Sequence, residues 1–386
     1  MYEKQCLMIP GPTNIPPRIL RTLGAPAVGH RTPAFNDLIK DVSARLQTIY
    51  QTTNEVLLLT ASGTGAMEAA VANFVNAGDK VLVMENGNFG ERWGKIAGRY
   101  GAEVEVISGP WGEQASPQVL RERMKKDIQQ EIKAVFVTHN ETSTGILNDI
   151  KALRDAMQDH PALFIVDAIS GMAVSPLPVD EWQLDVVVSG SQKAYMLPPG
   201  LAFISVSPKA WAVSDQVTGP RFYFDLRAAR KSLLEKSTTP YTPATSLIVA
   251  LQETLQIMQE EGLENIYERH VFYKKLVRTA IKALGLEPLT SDEAGSWAVT
   301  AVKRPDEIDV KKITKLMRDK HNVLIAGGQG QLQTEIFRIG HLGYVHVNDI
   351  IMTIAALERT LKELGMDIQL GQGVAAVQEL LVQAGK

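Results

Sequence analysis

Residues 56–75 read VLLLTASGTGAMEAAVANFV, and the order of apolar run, small-residue turn and helical repeat in this stretch decides the fold. Val56–Thr60 is a short aliphatic run, which predicts a buried strand. Ser62-Gly63-Thr64-Gly65 predicts a turn, and Ala66–Val75 spaces its apolar side chains as an amphipathic helix. Six more runs repeat the strand signal: Lys80–Met84, Glu103–Ile107, Ala134–Thr138, Leu163–Asp167, Val186–Ser189 and Ala202–Val206. They alternate with longer amphipathic segments, so the expectation is an α/β domain whose mainly parallel sheet is covered by helices on both faces. Turns and short connections link the last three runs, which leaves room for at least one antiparallel strand. After about residue 260, charged helical patterns (Leu263–Leu284, Val310–Lys320) take over, with weaker strands near Trp297–Val302 and Glu335–Ile339. The expected division is an N-terminal arm (1–20), a large domain (21–260) and a smaller C-terminal α+β domain (261–386).

The Ser62–Gly65 turn would offer backbone N–H groups and the positive end of a helix dipole to an anion, with the Ser62 and Thr64 hydroxyls as further donors. It is neither a Walker loop nor a dinucleotide fingerprint, since Gly-Lys-Ser/Thr and GxGxxG are both missing. Tight packing is the other reading of such a turn. In DVVVSGSQKAYMLPPG (185–200), Lys193 follows a buried-strand run and the small side chains of Ser189-Gly190-Ser191, where a planar ring could approach the backbone. Partial desolvation there disfavours the ammonium, so the amine can condense with an aldehyde near neutral pH. A solvated surface lysine is the alternative.

If the aldehyde is that of pyridoxal phosphate, the chain must supply an acid for the pyridine nitrogen, a cradle for the phosphate and a cation for a substrate carboxylate. Asp167 ends an apolar run, at the strand edge where open α/β sheets bind ligands; it could equally cap the next turn. Arg338, in EIFRIGHLGYV (335–345), can offer a carboxylate two parallel hydrogen bonds. An ordinary surface ion pair is its alternative, although Phe337, Ile339 and Gly340 make the surroundings apolar.

Ser62-Gly63-Thr64, His139-Asn140-Glu141-Thr142-Ser143-Thr144-Gly145, Asp167 and Ser189-Gly190-Ser191-Gln192-Lys193 occur in the order and spacing of the class V aminotransferases. From about residue 7 to about residue 365 the chain resembles the alanine–glyoxylate and serine–glyoxylate branch of that family. MIPGPTNIPPRIL (8–20) looks like that branch's opening Gly-Pro segment, and EIFRIGHLGYV like its late arginine motif. The resemblance implies a fold-type I transferase with a seven-stranded sheet and pyridoxal 5'-phosphate as cofactor. It makes Lys193 the Schiff-base lysine and proton carrier, and pairs Asp167 with the ring nitrogen. Thr142 would approach the phenolic side, while Ser62, Gly63, Thr64 and Gln192 would hold the phosphate. Arg338 would bind the substrate carboxylate, with Gly11 beside it. Phe89 stands where the family often stacks a tryptophan, giving a smaller platform. Thr242 matches a threonine that reaches the neighbouring subunit's phosphate, which implies a homodimer with shared sites; without the resemblance it would read as an N-cap of its own chain's Ser246–Glu260 helix. Thr239 matches a nearby tyrosine position with a shorter side chain.

The implied reaction is a ping-pong transamination of glyoxylate, with alanine the favoured donor, pyruvate and glycine the products, and a photorespiratory role in view. Serine or another small amino acid is the alternative donor. Cyanobacterial-type relatives of this look have also carried the label of soluble hydrogenase small subunit, an accessory role that leaves Lys193, Asp167 and Arg338 without a task. A cysteine desulfurase would need a late catalytic-loop cysteine, whereas Cys6 is the only cysteine. Aminoethylphosphonate and phosphoserine transaminases would need extra cations at the substrate's far end.

Composition agrees. A length of 386 residues suggests two domains, and 45% hydrophobic with 22% charged residues is ordinary for a soluble globular chain. The formal charge of -3, with dispersed lysine and arginine, argues against nucleic-acid or membrane partners. MYEKQ followed by Gly-Pro does not read as a signal peptide. A lone cysteine and histidines without HExxH spacing give no disulfide and no metal site, so the expected setting is the reducing cytoplasm.

Overall fold

The structure, a computed structural model, describes residues 5–306 and 308–386; the first four residues of the expected arm, and with them most of the MYEKQ start, lie outside the described residues. The seven apolar runs form one sheet. In chain order its strands are β1 (Val56–Leu59), β2 (Lys80–Glu85), β3 (Glu103–Ser108), β4 (Ile132–Thr138), β5 (Leu163–Asp167), β6 (Val186–Gly190) and β7 (Ala202–Val206), lying side by side as β1-β7-β6-β5-β4-β2-β3. The pairs from β3 across to β6 are parallel, and β7 is antiparallel to both β6 and β1. The cause of the reversal is local: segment 191–201 holds no helix to carry the chain back across the sheet, so β7 returns against β6. Every residue of β5, β6 and β7 is buried, which is why these strands read as continuous apolar runs rather than alternating ones.

Helices cover both faces. Leu82, Met84, Phe164 and Val166 join the cluster that contains α1 (Pro33–Tyr50), while Val81, Val83, Phe136 and Ile165 face α2 (Gly63–Phe74) and α3 (Asn88–Arg99). Phe136 meets Trp93 of α3 with ring centroids 4.8 Å apart, and burial of side chains this size contributes about 1.5–3 kcal/mol each. α2 begins at Gly63 rather than at Ala66, as the sequence had suggested, because the Ser62 carbonyl already accepts the N–H groups of Gly65 and Ala66 at 2.8 and 3.3 Å. The expected turn is thus the helix's first turn.

The C-terminal region has its own core. There β8 (Val299–Lys303), β9 (Ala326–Gly327) and β10 (Ile336–Gly340) form an antiparallel sheet in the order β8-β10-β9. Phe337 and Ile339 of β10 pack with Leu276, Ile313, Ile354 and Val377 from the surrounding helices. The N-terminal segment is stitched onto this region: Cys6–Leu7 pairs with Val323–Leu324, and the Gly340 N–H donates to the Met8 carbonyl at 2.8 Å. Among the described residues no helix is long and apolar enough to cross a membrane.

Candidate functional site

The helix-free segment after β6 carries Lys193 past the C-terminal edge of the sheet, where Asp167 ends β5. Lys193 Nζ donates to the Pro10 carbonyl at 2.6 Å. Gly11 lies so close that a Cβ there would stand 2.7 Å from Nζ, and its φ of +135° is one that side chains rarely adopt. Protein atoms crowd the amine, and desolvation lowers its pKa to about 8, against the opposing pull of Asp167. At pH 7 about a tenth of it is then the free base.

Asp167 is buried, and its Oδ1 accepts the Ile169 N–H at 2.8 Å. Oδ2 has no protein hydrogen bond among the described residues. Burial raises the carboxyl pKa to about 7 although the Ile169 bond lowers it; Glu141 raises it further, and Arg92 and Lys193 oppose. A carboxyl in that state needs a proton or a cation beside it. The nitrogen of a protonated pyridine meets that need.

At the start of α2, the Ser62 side chain makes no cap bond. Gly63 is pressed against Ile169, whose Cδ1 would stand 2.6 Å from an added Cβ. Gln192 Oε1 is buried and has no partner among the described residues. The donors that fit a phosphate here are the Ser62 hydroxyl, the helix N-terminal N–H groups and the Nε2 of Gln192, which makes no hydrogen bond among the described residues. Ser62, Gly63, Thr64, Phe89, Thr142, Asp167, Gln192 and Lys193 line one cavity of about 420 Å³, part of it open to solvent.

Arg338 extends from β10 to Thr142, one of the residues lining this cavity. Its Nε donates to the Gly327 carbonyl and its Nη1 to the Thr142 carbonyl, each at 2.8 Å. It is buried and makes no ion pair among the described residues, so the surface ion-pair alternative fails. Desolvation lowers its pKa to about 10, with Glu141 opposing. The Nη2 N–H groups and one on Nη1 remain, along the edge that binds a carboxylate with two bonds.

Sequence reasoning assigned no task to Glu141 or Arg92. Glu141 is fully buried and accepts the N–H groups of Phe89 and Gly90 at 2.9 and 3.0 Å, fixing the first turn of α3 and with it the Phe89 ring. Ser143 adds its N–H at 3.1 Å and its hydroxyl at 2.5 Å. Burial raises the Glu141 pKa and these hydrogen bonds lower it. Asn140, Ile169 and Ser170 line the cavity as well. Only Glu141 had a local signal, a carboxylate inside an otherwise uncharged stretch.

Thr242 and Thr239 stand elsewhere. They line a separate cavity of about 430 Å³ with Thr60, Tyr223 and Tyr241, sharing no residue with the Lys193 cavity. Thr239 Oγ1 donates to the Tyr241 carbonyl at 2.7 Å, whereas the exposed Thr242 has, among the described residues, only a 3.4 Å contact with His30 Nε2. Nor does Thr242 cap a helix of its own chain: the N-cap residue before Thr245–Glu261 is Ala244.

The sequence model of the family described as Aminotransferase class-V matches residues 12–343. The chain is 47% identical to the soluble hydrogenase, small subunit, of Synechococcus sp., with both chains covered in full. It is 38% identical to the serine–glyoxylate aminotransferase of Methylorubrum extorquens, over 97% of this chain and 95% of that one. Among solved structures, the ureidoglycine–glyoxylate aminotransferase of Bacillus subtilis superposes with a TM-score of 0.95 at 31% identity, covering 99% of each chain.

Proposed function

The chain belongs to the class V aminotransferase family and takes pyridoxal phosphate as its cofactor, and on that footing we propose that it transfers the amino group of a small amino acid to glyoxylate. One arrangement carries the reading: a desolvated amine at Lys193 and a buried acid at Asp167 line a single cavity, and the buried guanidinium of Arg338 bonds to Thr142 on its wall. Glyoxylate appears in the names of the two aminotransferases compared above, while their donors differ. Those names support serine or another small amino acid better than the alanine expected from sequence. The hydrogenase label of a close relative gives the same three side chains no work.

When bound, pyridoxal phosphate supplies an aldehyde that condenses with amines and a ring that delocalises the electron pair left at the substrate Cα. Lys193, with free base available near neutral pH, removes the Cα proton and returns it. Asp167 keeps positive charge at the ring nitrogen. Arg338 orients the carboxylate of donor and acceptor alike, Gly11 leaves room beside the amine, and the Thr142 hydroxyl serves the phenolic side. Ser62, Gly63, Thr64 and Gln192 hold the phosphate.

Steady-state kinetics with serine, alanine and aspartate as donors, and glyoxylate against pyruvate and 2-oxoglutarate as acceptors, test the reading. A poor kcat/KM for glyoxylate against either other acid would reject it. Arg338→Lys is expected to raise KM about tenfold for donor and acceptor together, because an ammonium cannot reproduce the planar fork. A change confined to one substrate would mean separate carboxylate sites.

The active unit we propose is a homodimer with shared sites. Among the described residues Thr242 has one weak partner, His30 at 3.4 Å, and beside it Phe222 (77% exposed) and Tyr223 (48% exposed) pack against Tyr241, an apolar surface suited to an interface. Mixing Lys193→Ala subunits with Thr242→Arg subunits should regenerate one intact site per heterodimer. Verified heterodimers without recovered activity would rule out sharing.

A further inference from the structure

We propose that Arg92 is the cation that neutralises the cofactor phosphate, closing the open side of the cradle formed by the first turn of α2; the inference rests on the pyridoxal-phosphate reading above. Two contacts aim the side chain. Nη1 donates to Thr64 Oγ1 at 2.9 Å, within the cradle itself. The guanidinium carbon stands 4.7 Å from the centroid of the Phe89 ring, one helical turn earlier on α3, where an i,i+3 pair naturally meets. Phe89 therefore holds Arg92 as well as offering a face to the cofactor.

Charge supplies the reason. A phosphate monoester carries about −1.5 to −2 charge at pH 7, whereas a helix N-terminus offers roughly half a positive charge. Ser62, Thr64 and Gln192 are neutral donors. Among the described residues the cavity is lined by two cations, Lys193 and Arg92, and Lys193 is committed to the aldehyde. Arg92 makes no ion pair among the described residues, and its one hydrogen bond goes to a neutral hydroxyl. Most of its five N–H groups thus lack a protein acceptor while facing the cavity. A planar guanidinium with unused donors is suited to two-point contact with phosphate oxygens.

The test compares pyridoxal phosphate with pyridoxal, which has the same aldehyde and ring but no phosphate, in absorbance titrations of the apoprotein. Arg92→Gln is expected to weaken pyridoxal phosphate roughly ten- to hundredfold, as for loss of a charge-assisted hydrogen bond, and to leave pyridoxal within about twofold. Arg92→Lys should recover part of the difference. Inorganic phosphate should raise the melting temperature of the wild-type apoprotein more than that of Arg92→Gln. Equal weakening toward both aldehydes would overturn the inference and make Arg92 a support for the Phe89 ring; so would unchanged pyridoxal phosphate affinity with a raised KM for aspartate alone. If Arg92→Gln fails to fold, the ratio of the two affinities in Arg92→Lys decides: a loss confined to pyridoxal phosphate supports the inference and an equal loss overturns it. A wild-type protein that gains no visible absorbance band with pyridoxal phosphate would remove the cofactor reading, and the inference with it, a failure distinct from any change seen only in the variants.

Discussion

Lys193→Ala is expected to abolish transamination, with a loss of at least about 10⁴-fold, because on the proposed assignment one substitution removes both the covalent attachment point and the proton carrier. The borohydride-reducible cofactor linkage disappears with it. The fold should survive: among the described residues the side chain's one hydrogen bond is to the Pro10 carbonyl. Moreover, an amine whose pKa is lowered to about 8 by desolvation is a charge the folded chain holds at a cost near pH 7, so its removal does not destabilise by that route. Turnover, reduction labelling and the melting temperature of the apoprotein check the three parts. Near-wild-type turnover would end the Schiff-base assignment.

Asp167→Asn should still take up the cofactor but lose kcat by roughly a hundredfold or more, the scale for one positioned acid–base group. An amide does not hold a proton at the ring nitrogen, and a ring without that proton is a poorer acceptor of the Cα electron pair. The substitution also has a signature in the apoprotein. With its pKa raised from 3.8 to about 7, the folded chain binds more protons at this site than the unfolded chain between roughly pH 4 and pH 7. Stability contributed there is present at low pH and is lost as pH rises through the folded pKa. Urea midpoints of apoprotein at pH 5 and pH 8 should therefore show a drop in the wild type that is smaller in Asp167→Asn. If kcat barely moves, the aspartate is structural.

The sheet was legible because β5, β6 and β7 are buried on both faces, so each run is apolar without interruption. Even the reversed strand had a local cause in the helix-free 191–201 segment. That Lys193, Asp167 and the Ser62–Thr64 turn line one cavity was legible because each sits at a strand end, at the same edge of the sheet. Glu141 and Arg92 could not, since their roles lie in contacts with residues 89–90 and 64 that no periodicity encodes. The carboxylate of Glu141 in an otherwise uncharged stretch was the one available hint. Arg338 had the right residue type, but its clamps, the Gly327 and Thr142 carbonyls, belong to distant segments. The arm expected over residues 1–20 is partly a strand paired with Val323–Leu324 and partly the beginning of a helix, Pro17–Leu23.

That stitched N-terminal segment sets an order of assembly during synthesis. Residues 6–8 bond to the backbone at Asn322, Leu324 and Gly340, while the Pro10 carbonyl receives the Lys193 amine and Thr13 bonds the carbonyls of Gln192 and Lys193. The early piece thus waits for strands that leave the ribosome hundreds of residues later, at about 5–20 residues per second. The sheet and the Ser62–Gly65 turn can form well before then. A nascent chain stopped short of Asn322 carries the lysine but lacks every one of these C-terminal anchors for the backbone that shields it, so the amine is enclosed only after the C-terminal strands have been made.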